Sequence, residues 1–172
     1  NPQNMYAYVN RGIAYYNLMN YDSALEDFAK ALELDRNNAN TYYNRGLTYT
    51  KLEQLSFALF DFSRMIELDS ENPIGYFNRG LVLNQLENYR DAITDFDRTI
   101  KLSPDFIDGY YNRGLSYARM EDHSRALLNF NQVIALNPDY AYAYFGRGNV
   151  YYVQKDYDKA IVEYSYALVL DG

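Results

Sequence analysis

The chain has 172 residues, a formal net charge of −7 and no cysteine. Without cysteine there is no disulfide framework, zinc–thiolate site or thiol nucleophile, and an acidic chain lacks the basic stripe of a generic nucleic-acid surface. No apolar run is long enough to span a bilayer, and Asn1-Pro2-Gln3-Asn4 is not the start of a signal peptide. Position 1 is not Met, which points to a piece of a longer protein whose targeting information can lie elsewhere. The compartment is therefore left open, with the cytoplasm as the default.

The predicted elements follow one plan, repeated. Over residues 5–38, Tyr8, Gly12 and Tyr15 share one face of a first helix, Met19-Asn20-Tyr21-Asp22 makes a turn, and Ala24, Phe28 and Leu32 share one face of a second. Asp35-Arg36-Asn37-Asn38 then breaks the pattern. Residues 39–72 repeat it with Tyr42, Gly46 and Tyr49, then Ala58, Phe62 and Ile66. Pro73 opens the unit 73–106, a place where the missing amide hydrogen does no harm; Tyr76, Gly80 and Leu83 precede Ala92, Phe96 and Ile100. The unit 107–140 carries Tyr110, Gly114 and Tyr117, then Ala126, Phe130 and Ile134, and closes on Asn137-Pro138-Asp139. The unit 141–172 carries Tyr144, Gly148 and Tyr151, then Ala160, Tyr164 and Leu168.

The glycines recur every 34 residues without insertion. With Met5 as repeat position 1, position 8 is glycine, position 20 alanine and position 24 aromatic in all five units. Glycine inside a helix costs about 1 kcal/mol relative to alanine, so five in register imply a close approach, expected here between positions 8 and 20 of one hairpin. The aromatic residues are expected to fill the wedges between hairpins. Repetition also explains 21 tyrosines in a chain with no tryptophan.

These features resemble the tetratricopeptide-repeat family over residues 5 to 172, with Pro104 and Pro138 at the family's proline position and Arg36, Ser70 and Gly172 replacing it elsewhere. The resemblance implies an all-α fold: a right-handed α-solenoid, or superhelix, of stacked antiparallel hairpins, with first helices lining a concave groove. It also implies a protein-binding scaffold. The family's chaperone-tail clamp, with lysine at position 5 and asparagine at position 9, is not matched.

Chemistry-bearing residues are few. His123, the sole histidine, occupies a turn place held by Tyr21, Tyr89 and Tyr157 in other units, so a packing or solvent-facing role is expected. No phosphate loop, metal pair or nucleophile motif is present, and no catalysis, cofactor or metal is expected. Arg11, Arg45, Arg79, Arg113 and Arg147 all fall at position 7, beside the core face, with Asp27, Asp61, Asp95, Asn129 and Glu163 at position 23 as partners. Structural pairing or snorkelling along the hairpin is expected, and Arg79→Leu is expected to keep or raise stability because the family tolerates an apolar residue there.

The groove is the candidate site. Opposite the expected core face lie Asn10, Asn44, Asn78 and Asn112 at position 6, a series broken by Gly146. Beside them lie Val9, Tyr43, Phe77, Tyr111 and Phe145 at position 5, and Ile13, Leu47, Leu81 and Leu115 at position 9, where Asn149 ends the series. Lys51 and Arg119 against Asp108 leave the groove nearly neutral. An asparagine amide both donates to a peptide carbonyl and accepts from a peptide amide, and similar ladders line the superhelices of O-linked N-acetylglucosamine transferases and kinesin light chains. The expected partner is thus an extended segment of another protein. The alternatives are a self-assembling structural module and the substrate-selecting arm of a larger enzyme. In the fifth unit Ile161, Tyr164 and Leu168 lack a covering helix, so either weak self-association through this end or continuation of the parent protein with a further helix is expected.

Overall fold

In the computed structural model, residues 4–171 are described, and they form ten α-helices without a strand among them. These pair in chain order: α1 (Met5–Asn17) with α2 (Tyr21–Leu34), α3 (Ala39–Lys51) with α4 (Leu55–Leu68), α5 (Pro73–Gln85) before α6 (Tyr89–Leu102), α7 (Ile107–Arg119) with α8 (His123–Leu136), and α9 (Ala141–Val153) with α10 (Tyr157–Asp171). The described residues fall into two compact units that divide between Val82 and Leu83, within α5.

The turn inside each hairpin is short because one motif ends the first helix and starts the second. Asn20 N–H donates to Tyr15 O and Met19 N–H to Tyr16 O, the paired bonds of a Schellman ending. The same pair recurs at Glu53–Gln54, Glu87–Asn88, Glu121–Asp122 and Lys155–Asp156. The first residue of each pair takes positive φ, from 56° at Glu53 to 63° at Lys155. The second begins the next helix, and where it is Asn20 or Asp122 its side chain accepts from the backbone N–H of Ser23 or Arg125.

Within the hairpins the buried aromatic at position 24 decides the spacing. Phe28, Phe62 and Phe130 are buried beside Ala24, Ala58 and Ala126. A Cβ on Gly12 would lie 2.7 Å from Phe28 Cε1, one on Gly46 2.9 Å from Phe62 Cε1, and one on Gly148 2.7 Å from Tyr164 Cε1. The glycines therefore clear space for the position-24 ring, which is what a side chain at position 8 would meet first.

Successive hairpins meet through a second face of each first helix. Thr41 and Ala143 at position 3, and Thr48, Val82, Ser116 and Val150 at position 10, are buried although polar or small. Gly75 sits over Ile66, and Gly109 over Ile100. Tyrosine at position 4 closes the seam, its hydroxyl donating to the loop before it: Tyr76 to Ser70 O, Tyr110 to Pro104 O and Tyr144 to Pro138 O, at 3.0–3.3 Å.

The position-7 arginines tie both contacts together. Each guanidinium lies over the tyrosine three residues earlier, 5.5–5.9 Å from the ring centre. Arg11 pairs with Asp27 and Arg45 with Asp61 through two bonds each. Arg113 Nε donates to Asn129, and Arg147 Nη2 to Glu163. Arg79, Arg113 and Arg147 also reach back to the preceding hairpin, at Ser63, Asp97 and Asn131. The pairing expected between positions 7 and 23 is present at Arg11, Arg45, Arg113 and Arg147, and at Arg113 and Arg147 it spans two hairpins.

Candidate functional site: the face of the first helices

A first helix buried on two sides has one side left. In the first unit that side carries Asn10, Asn44, Asn78 and Lys51; Asn10 and Lys51 are exposed, and the other two are half-buried. Asn44 Nδ2 donates to Asn40 O at 2.7 Å and Asn78 Nδ2 to Ile74 O at 2.8 Å, each one turn back in its own helix. In the second unit Asn112 Nδ2 bonds Asp108 O in the same way at 2.8 Å. One amide hydrogen is thus used locally. Their Oδ1 atoms accept no hydrogen bond among the described residues; at Asn78 and Asn112 Oδ1 and the second hydrogen stay available, the pair that a peptide N–H and C=O require, while Asn44 Nδ2 also donates to Asn40 Oδ1 at 3.2 Å.

The residues expected beside the asparagines are less detached from the core than their helical angle implied. Tyr43 packs against both the Leu32–Tyr42–Met65 cluster and the Ala58–Phe62–Val82 cluster, and Leu47 against the latter. In the second unit Tyr111 and Leu115 border Ala126, Phe130 and Val150. Rings at position 5 lean on the position-24 ring of their own hairpin: Tyr43 on Phe62 at 6.5 Å, Tyr111 on Phe130 at 6.0 Å and Phe145 on Tyr164 at 5.7 Å. Phe77 and Leu81 are half-buried, and Phe145 is exposed. The apolar floor consists of core side chains showing one edge, which holds them rigid.

Cavities open on each unit. In the first, Asn40, Tyr43, Met65, Asp69, Asn72 and Ile74 line one of about 450 Å³. In the second, Leu115, Arg119, His123, Asn149 and Val153 line one of about 250 Å³ between α7 and α9. Arg119 is exposed, and His123 has a buried Nδ1 without a hydrogen-bond partner among the described residues. His123 opens α8 and packs into this cavity.

Two features of this face escape the periodic pattern. The Tyr140 ring lies tilted against Tyr111, 5.4 Å between centres, and its hydroxyl donates to Asp108 at 2.9 Å. Burial, with the Asp108 bond added, pushes the Tyr140 phenol well above its ordinary value, and burial also raises that of Tyr111. The Tyr140 position is asparagine in the first two units and phenylalanine in the third, so no recurrence marks it. The second feature is Asn149, whose Oδ1 accepts from Tyr164 OH at 2.8 Å.

Among the described residues no group of three His, Cys, Asp or Glu could hold a metal, and no helix is long and apolar enough to cross a membrane.

Comparison with known proteins places this architecture. Tetratricopeptide-repeat profiles match residues 6–38, 39–72 and 111–171, and a TPR-repeat profile matches 80–121. No curated protein matches the chain. Among solved structures, MamA is similar with a TM-score of 0.87 and 26% identity, covering 93% of this chain and 94% of that one. YrrB, described as a TPR protein with an unusual peptide-binding site, has a TM-score of 0.82 and 25% identity over 99% of this chain and 88% of its own. PilF of Pseudomonas aeruginosa, at 21% identity, TM-score 0.84 and coverage of 98% and 77%, shares the fold. Paired helices, a 34-residue period, glycine beneath a position-24 ring and matching profiles over most of the sequence agree: the chain belongs to the tetratricopeptide-repeat family and has its all-helical solenoid fold.

Proposed function

We propose that this chain is a non-enzymatic scaffold whose first-helix face holds an extended segment of another protein. Tetratricopeptide repeats characteristically mediate protein–protein interaction, and the similar YrrB has a peptide-binding site by its own description. The observation that supports the reading here is the half-used asparagine: Asn78 and Asn112 each spend one amide hydrogen on their own helix and keep an acceptor and a donor for a ligand backbone, and Asn44 keeps its acceptor.

Magnitudes limit what those amides can do. A net hydrogen bond contributes about 0.5–1.5 kcal/mol, whereas ordering each ligand residue costs about 1–2 kcal/mol. The asparagines fix register without supplying the affinity. That must come from apolar ligand side chains on Tyr43, Phe77, Tyr111, Phe145, Leu47, Leu81 and Leu115, since aromatic surfaces bury large areas. The ligand class is therefore an extended segment with apolar side chains. Binding should vary little with salt, because Lys51 and Arg119 are the cations of this face.

The test uses peptides selected on the chain from a displayed random library. Asn44→Ala with Asn78→Ala should weaken all selected peptides alike, and Phe77→Ala should change which are preferred. An asparagine pair without effect, or a steep loss of binding at moderate salt, overturns the reading.

A further inference from the structure

Resting on the first-helix reading, we infer that the cavity beside Tyr43 receives one tyrosine side chain of the bound segment, seated as Tyr140 seats itself in the second compact unit.

The repeat itself supplies the comparison. Asn72 and Tyr140 hold the same place, the last residue before a first helix. Around them Asn40 corresponds to Asp108, Tyr43 to Tyr111, Met65 to Val133 and Ile74 to Tyr142. In the second compact unit that place is filled from within. The Tyr140 ring lies 5.4 Å from the Tyr111 ring and meets Tyr142 edge-on at 6.2 Å, and its hydroxyl donates to Asp108 Oδ1 at 2.9 Å.

In the first compact unit the same place is open. Asn72 is short and turns back onto its own loop: Nδ2 donates to Asp69 Oδ2 and Oδ1 accepts from Ile74 N–H, both at 3.1 Å. What remains is the cavity of about 450 Å³. Its aromatic platform matches that under Tyr140, since Tyr43 leans on Phe62 at 6.5 Å as Tyr111 leans on Phe130 at 6.0 Å. An acceptor waits at the matching place as well. Asn40 Oδ1 takes one hydrogen bond, from Asn44 Nδ2 at 3.2 Å, and a carbonyl oxygen accepts two.

The lining selects the same occupant independently. Tyr43, Met65 and Ile74 give apolar walls, whereas Asn40, Asp69 and Asn72 are polar. A phenol has an apolar body and a polar tip, so it meets both. An aliphatic side chain leaves the polar groups without a partner, and a carboxylate would face Asp69.

N-acetyltyrosinamide is the probe, titrated into the 172-residue chain with its Met, Ile and Val methyl groups labelled for NMR. The methyls of Met65 and Ile74 should shift and saturate in the millimolar range. N-acetylphenylalaninamide should bind about 2–10-fold more weakly, the worth of one net hydrogen bond. Asn72→Tyr fills the cavity from within and should abolish both shifts. Tyr140→Asn opens the counterpart and should add a response at Val133. The probe needs no extended segment, so a bound probe beside failed peptide selection supports the pocket and sinks the extended-segment reading. Silent Met65 and Ile74 methyls in the wild type, equal binding of the phenylalanine compound, shifts that survive in Asn72→Tyr or a silent Val133 in Tyr140→Asn each overturns the inference.

Discussion

Arg45 and Asp61 meet fork to fork, Nε to Oδ2 at 2.8 Å and Nη2 to Oδ1 at 2.7 Å, with the carboxylate side chain wholly buried. Burial lifts the Asp61 carboxyl above its ordinary value, and the Arg45 hydrogen bond only partly opposes it. Removing the arginine alone leaves a charge without water or partner, so Arg45→Leu should cost about 3–5 kcal/mol. Arg45→Leu with Asp61→Leu should recover most of that loss, since apolar replacement of a buried pair is often neutral or stabilising. Urea unfolding of the double-mutant cycle checks this; a single mutant as stable as wild type contradicts it.

The hairpin turns hold side-chain-bearing residues where glycine is at home. Met19, Glu53, Glu87, Glu121 and Lys155 all take φ near +60°, a region that costs L-residues about 1–2 kcal/mol. Glycine there loses more freedom on folding, which returns part of the gain. Glu53→Gly and Glu87→Gly should each raise stability by about 0.5–1 kcal/mol. Thermal melts decide, and a lowered Tm for both would show that the side chains contribute more than the backbone strain.

Gly46 sets two effects against each other. Alanine improves helix propensity by about 1 kcal/mol. Its Cβ would lie 2.9 Å from Cε1 of the buried Phe62, and overpacking costs about 1–3 kcal/mol. Gly46→Ala should therefore lower stability, and Phe62→Leu in the same chain should cushion that loss. A stabilised Gly46→Ala would mean that the ring yields freely.

The repeat was legible because five copies of one helical hairpin expose their shared requirements. Glycine, alanine and aromatic positions marked the hairpin interior, and Arg113 and Asn129 could be matched by spacing alone. The second buried face was hidden: Thr41, Thr48 and Ser116 are polar and small, and their burial comes from packing against the neighbouring hairpin. Position 5 was read as groove from its helical angle, but Tyr43 is long enough to touch two core clusters from there. The bond between Asn149 and Tyr164 did leave a sequence trace. Both residues depart from their column in the fifth repeat, leucine or isoleucine to asparagine and phenylalanine to tyrosine, and a paired departure of that kind marks a contact. The positive φ at Glu53 left none, since nothing in glutamate announces it.

The central claim is where a ligand lies, and photo-crosslinking measures that directly. Benzoylphenylalanine placed singly at position 47, 115 or 60 replaces Leu47, Leu115 or the outward Phe60 of α4, which is more than half exposed. Each chain is irradiated with a biotinylated peptide selected from the displayed library. The peptide should crosslink through positions 47 and 115 and not through 60. Crosslinking confined to position 60, with the two first-helix positions silent, would contradict the assignment of the first-helix face as the binding site.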